Sequence, residues 1–167
     1  MAGRGRHLDA PRLRPDSPVA PAGGPPEGRS WFGELEAIYR ELDLGLARLG
    51  ARCLACGECC TFPPGSPVLY ASWPERAYLA GVPRADSTGP RPTGACPWLD
   101  TSTMLCTARE RRTIGCRAHY CARALPSEET RSAARDLAER ALARVKELVR
   151  RWGLEWDYAP VLARLSQ

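Results

Sequence analysis

Apolar residues in the stretch WFGELEAIYRELDLGLARLG recur at Trp31, Leu35, Ile38, Leu42, Leu46 and Leu49, in steps of three or four. That period lines one face of an α-helix, so an amphipathic helix is predicted over residues 31–49. Gly33 and Gly45 weaken its intrinsic propensity, while Gly50 offers a stop. A second stripe, Ala134, Leu137, Ala141, Val145, Leu148 and Trp152, predicts a longer helix over residues 128–151. Glu128 and Glu129 sit in its first turn and Arg150 and Arg151 near its end, each placed favourably for the helix dipole. The stripe reads as a core-facing surface, with a partner or coiled-coil face as the alternative.

Between these two helices the pattern is shorter. SWPERAYLAG sets Ser72 three residues before Glu75 with Pro74 in the first turn, which predicts a capped short helix ending near Gly81. PPGSP after the first cysteine group is a turn, and residues 83–94 are rich enough in turn formers to be a loop. Gly153 ends the long helix, and Trp156, Tyr158, Val161 and Leu165 form a short packing tail around Pro160.

The 167 residues suit a single domain, and neither a repeat nor a second domain is visible. Glycine and proline together make 31 residues, of which 11 fall in the first 30. Residues 1–30 therefore read as a disordered extension with too few large apolar groups to offset the entropy of ordering. Residues 31–167 form the domain. The expected fold class is mainly α: a small single domain whose helices pack around irregular cysteine-rich metal-binding loops.

No apolar stretch of the secretory kind follows the basic residues near Met1, and no segment is long enough to span a membrane. The expected compartment is the cytoplasm, where stable disulfides are uncommon. Eight cysteines there favour metal ligation, with disulfides and reactive thiols as alternatives. The formal charge of +5 permits an acidic protein partner. No nucleic-acid reader module accompanies the arginines.

Cys53, Cys56 and Cys59 follow C-x2-C-x2-C and Cys60 comes at once; Cys96, Cys106, Cys116 and Cys121 form a second region. Two-residue gaps let a turning backbone aim successive sulfurs at one centre, and distant cysteines complete the shell through folding. Gly57 suits that curvature. Cys59 and Cys60 complicate it, since neighbouring side chains diverge in both strands and helices. They are expected to address different centres, or to divide into one ligand and one packed or reactive thiol, unless a special turn brings them together. Eight thiols would serve two zinc sites, two four-iron clusters, or one centre with structural cysteines beside it. The first three spacings are similar to a bacterial ferredoxin run, but Cys60 and Thr61 depart from it. His119 could orient a thiolate or ligate, although a supporting or surface role is the plainer reading; His7 lies in the extension. Arg109, Arg111, Arg112 and Arg117 read either as a solvated basic face or as charge compensation for a thiolate centre.

CLACGECC and ACPWLDTSTMLCTARERRTIGCRAHYC together resemble the YkgJ-like cysteine cluster family, small proteins described as zinc- or iron-chelating. The resemblance covers about residues 50–121. It implies candidate ligand roles for Cys53, Cys56, Cys59, Cys60, Cys96, Cys106, Cys116 and Cys121. Two positions depart from the family pattern, Arg109 where a tyrosine is usual and Arg112-Thr113 where an arginine-proline pair is usual. The expected function is metal binding at a thiolate-ligated zinc, iron or iron–sulfur centre, with a structural or regulatory role. An iron–sulfur redox enzyme or electron-transfer protein is one alternative, and a thiol redox sensor built on Cys59 and Cys60 is another.

Overall fold

The computed structural model describes residues 30–62, 65, 68–85, 94–119, 124–125 and 127–161. The predicted extension, apart from Ser30, lies outside those residues, as do Cys121 and Leu165. In chain order the elements are α1 (Trp31–Arg48), β1 (Tyr70–Ser72), α2 (Trp73–Ala80), β2 (Leu99–Asp100), β3 (Leu105–Cys106), α3 (Ile114–Ala118), α4 (Glu128–Arg151) and β4 (Tyr158–Pro160). The chain is a small, mainly helical single domain.

Helix α1 starts because Ser30 Oγ accepts from the Gly33 amide at 3.1 Å, satisfying a donor that the helix cannot pair internally. Ser127 does the same for α4, accepting from the Thr130 amide at 3.0 Å. The apolar stripes of the two helices meet: Leu35, Ile38, Leu42 and Leu46 pack with Ala141, Val145 and Leu148 in one buried cluster. Burial of each leucine or isoleucine contributes roughly 1.5–3 kcal/mol. Arg144 pairs with Glu41 and Arg151 with Glu34, so residue numbers run in opposite senses and the helices are antiparallel. Gly45 lies where they approach closely, since a β-carbon there would stand 2.8 Å from Leu137 Cδ2. A position that weakens the helix in isolation thus leaves room for Leu137 of α4.

The short predicted helix is present as α2, with Pro74 in its first turn and Gly81 at its end. Glu75 is 1% exposed and does more than cap. Its Oε2 accepts from the Ser72 amide and hydroxyl at 2.9 and 2.7 Å, and its Oε1 accepts from the Ile114 amide at 2.8 Å. One buried carboxylate therefore joins α2 to the start of α3. Burial pushes its pKa up, against the lowering effect of those hydrogen bonds and of Arg76.

Two antiparallel strand pairs complete the fold and have no counterpart in the predicted elements. In β1–β4, Ala71 faces Ala159; in β2–β3, Leu99 faces Cys106. Arg76 fastens the first pair, donating to the Ala71 carbonyl at 2.5 Å and pairing with Asp157 at 2.5 Å. In the second, Asp100 Oδ1 accepts from the amide and hydroxyl of Ser102 at 2.8 and 2.6 Å, closing the turn. Those bonds hold the Asp100 carboxyl at a pKa of about 2. Among the described residues no helix is long and apolar enough to cross a membrane.

Candidate functional site

The first cysteine loop leaves α1 through Gly50, in a left-handed conformation at φ 72°, and turns again at Ala55 (φ 53°) and Gly57 (φ 70°). A single 3-10 turn, Glu58–Cys60, follows, with the Cys60 amide donating to the Gly57 carbonyl at 2.8 Å. This is the special turn that convergence of neighbouring thiols requires. Cys59 Sγ and Cys60 Sγ lie 3.9 Å apart, and both border one cavity. The expected divergence of the two side chains is therefore not what the backbone produces.

The second region reaches the same place by a main-chain link. The Cys96 amide donates to the Cys60 carbonyl at 2.8 Å, and the Leu99 amide donates back to the Cys96 carbonyl at 3.0 Å. Strands β2 and β3 then carry Cys106 alongside. Leu79, Trp98 and Ala108 form a small apolar cluster against which Cys96 and Cys106 pack, and Trp98 Nε1 is anchored to the Val82 carbonyl at 2.9 Å. Cys116 comes from α3, where Thr113 Oγ1 accepts from its amide at 3.3 Å.

Cys53, Cys59, Cys60, Cys96, Cys106 and Cys116 line a cavity of about 50 Å³. Six of the eight predicted ligands thus share one space. Cys56 is not part of its lining, and Cys121 is outside the described residues. His119 borders it too and is exposed. No disulfide joins Cys53, Cys56, Cys59, Cys60, Cys96, Cys106 or Cys116. Among the described residues, no three His, Cys, Asp or Glu side chains stand close enough to hold a metal ion in this arrangement.

The thiols differ in acidity. The hydrogen bond from Cys60 lowers Cys59 to a pKa of about 6, against burial and with help from Arg112, while Cys60 is pushed up by the same bond and by burial. Burial also raises Cys106 and Cys116. At Cys53 burial acts upward, but the Ala55 amide, the Arg109 guanidinium and the charge of Arg112 together bring the pKa down.

Of the four arginines predicted beside the ligands, Arg109 and Arg112 border the cavity. Arg111 instead lies over the Tyr78 ring, 4.7 Å from its centroid. Arg117 is 4% exposed, pairs with Asp43 and covers the Tyr39 ring at 4.3 Å. A wholly solvated basic face is not what these residues form.

Backbone strain marks the site and was not read from the sequence. Ala55, Phe62 and Met104 are the described non-glycine residues with positive φ, at 53°, 43° and 58°, and all three line the thiol cavity. Each left-handed residue costs about 1–2 kcal/mol, so the surrounding contacts must hold them there. The DTSTM turn before Cys106 carried the one available signal, a cluster of turn formers between two short apolar pairs. No family model matches the chain, and no curated protein or solved structure shows significant similarity to it.

Proposed function

We propose that the chain is a cytoplasmic metal-binding protein in which thiols drawn from Cys53, Cys59, Cys60, Cys96, Cys106 and Cys116 ligate a zinc or iron centre with a structural or regulatory role, the others packing beside it. The observation that carries this reading is the gathering of those six thiols, without disulfides, around one cavity of about 50 Å³. The donor chemistry fits a thiophilic ion, since thiolates bind zinc, iron and iron–sulfur clusters. The spacing of the adjacent pair supports it too. Two thiolates on a tetrahedral zinc, each at about 2.3 Å, stand about 3.8 Å apart, close to the 3.9 Å between Cys59 and Cys60.

The residues outside the pair have separate tasks. Cys96 is tied to Cys60 through the main chain, so the two cysteine regions cannot separate without losing that bond. Trp98, Leu79 and Ala108 exclude water behind Cys96 and Cys106. Arg109 and Arg112 offset the negative charge that a thiolate-rich centre accumulates. A bound ion would supply a cross-link between the two regions and, if it were iron, redox chemistry as well. Cys56 and Cys121 enter the ligand set through the family resemblance.

Anaerobic purification of the untagged chain, with metal and acid-labile sulfide counted beside the optical spectrum, tests the proposal. Stoichiometric zinc without colour supports a zinc centre, and sulfide with visible absorption supports the iron–sulfur redox alternative. A fully structured chain without metal would overturn both. In that event the exposed Cys59 beside Cys60 favours the thiol-sensor reading.

A further inference from the structure

A second pocket, of about 360 Å³, shares Cys53, Arg109 and Arg112 with the thiol cavity and is completed by Asp43, Arg52 and Arg117. Its chemistry is different. Four arginines border it against two carboxylates, Asp43 and Glu110, and Asp43 is already paired with Arg117. Arg117 also donates to the carbonyls of Glu110 and Arg112 at 2.6 and 2.8 Å, so this buried guanidinium shapes the wall. Arg112 Nε donates to the Arg109 carbonyl at 3.1 Å, which orients the Arg112 fork.

Arg131, Arg135, Arg144, Arg150 and Arg151 each pair with a carboxylate, whereas among the described residues Arg40, Arg48 and Arg140 stand singly outside this pocket without one. Among the described residues Arg52, Arg109 and Arg112 also lack one. Three like charges brought to one pocket repel each other, and an anion between them reverses that cost. Guanidinium forks match the paired oxygens of carboxylates and phosphates, and the volume suits a small molecule.

We propose that this pocket binds a small molecule bearing a carboxylate or phosphate group and holds it against Cys53. The pocket shares Cys53, Arg109 and Arg112 with the proposed metal site but does not depend on it, because Arg52 lies outside that site and the arginines carry their charge whether or not the thiols hold an ion.

Calorimetric titration of the full chain at low salt tests it, with inorganic phosphate, succinate and neutral succinamide as probes and metal content measured in parallel. Saturable binding of phosphate or succinate, with none of succinamide, is expected, and the tighter of the two anions identifies the group recognised. Arg112→Gln should weaken binding about tenfold or more, with Arg112→Lys recovering part of it. Arg52→Gln, at an exposed position outside the thiol cavity, should weaken binding too and guards against a folding defect in the first variant. Failure of both anions to saturate, or wild-type affinity in both glutamine variants, would leave the arginines with charge compensation alone and overturn the proposal. A chain that binds the anion but carries no metal rejects only the metal-centre reading.

Discussion

Gly57 lies directly against Met104: a β-carbon at Gly57 would stand 2.8 Å from Met104 Cε and 3.0 Å from the Met104 carbonyl oxygen. This contact seats the first cysteine loop on the β2–β3 hairpin, and both residues are left-handed. Gly57→Ala should therefore incur a backbone cost and a contact cost together, about 2 kcal/mol or more in urea unfolding. Gly50→Ala is the control. Its φ is +72° but no atom lies within 4 Å of the added carbon, so only the backbone cost of about 1 kcal/mol is expected. Equal losses in the two variants would show that the Met104 contact is not tight.

Gly45 and Leu137 give a test of the helix interface. Alanine is the better helix former by about 1 kcal/mol, yet its β-carbon would meet Leu137 Cδ2 at 2.8 Å and Cδ1 at 3.1 Å. Gly45→Ala should be neutral or destabilising in the native background. In a Leu137→Ala background the same change should become stabilising, and a double-mutant cycle should return a coupling of about 1 kcal/mol. Additive effects would place the helices further apart than this contact requires.

The parts of the structure that were legible in sequence share a cause. Helices α1 and α4 bury long stripes against each other, and a stripe repeated over several turns announces itself in the order of apolar residues. Helix α2 carried a local code in Ser72, Pro74 and Glu75. The strand pairs, two or three residues long, leave no period to detect. Gly57 was legible as a curvature residue, but the convergence of Cys59 and Cys60 depends on the 3-10 turn after it. Arg117 looked like its neighbours in sequence, and only packing against Tyr39 and Asp43 separates it from them.

Glu75 makes the α2–α3 junction sensitive to pH. Its folded pKa is raised by burial, so the stability it contributes is fully present below its unfolded pKa and is lost as pH rises through the folded value. Glu75→Gln should be destabilising, because the amide NH2 group would face a backbone donor from Ser72 or Ile114. The margin of the wild type over this variant should narrow as pH rises through the raised pKa. Denaturant unfolding of both chains across the acidic to neutral range measures it, and a margin that widens with pH would mean that the hydrogen bonds outweigh burial.

Tyr39 presents the reverse case. Its hydroxyl is buried without a hydrogen-bond partner among the described residues, and burial raises its pKa well above the usual phenol value. Tyr39→Phe removes that unpaired group and keeps the ring under Arg117. Stability should stay level or rise by about 1 kcal/mol. A loss of more than that in thermal unfolding would reveal a partner for the hydroxyl.

Removal of metal should act on one part of the molecule more than another. The α1–α4 core is built from side chains such as Leu42 and Val145, which pack on each other, whereas Cys96 and Cys106 pack on the smaller cluster around Trp98. The strained residues Ala55, Phe62 and Met104 also gather at the thiol cavity. If an ion holds that region, a chelator should loosen the β2–β3 hairpin and the first cysteine loop while most helical signal remains. Hydrogen exchange checks this directly: the Cys96 and Thr107 amides, which donate to the Cys60 and Trp98 carbonyls, should lose protection before amides in the middle of α4. Simultaneous loss in both places would mean that the two cores unfold as one unit; unchanged protection in both would separate the cysteine loops from any metal.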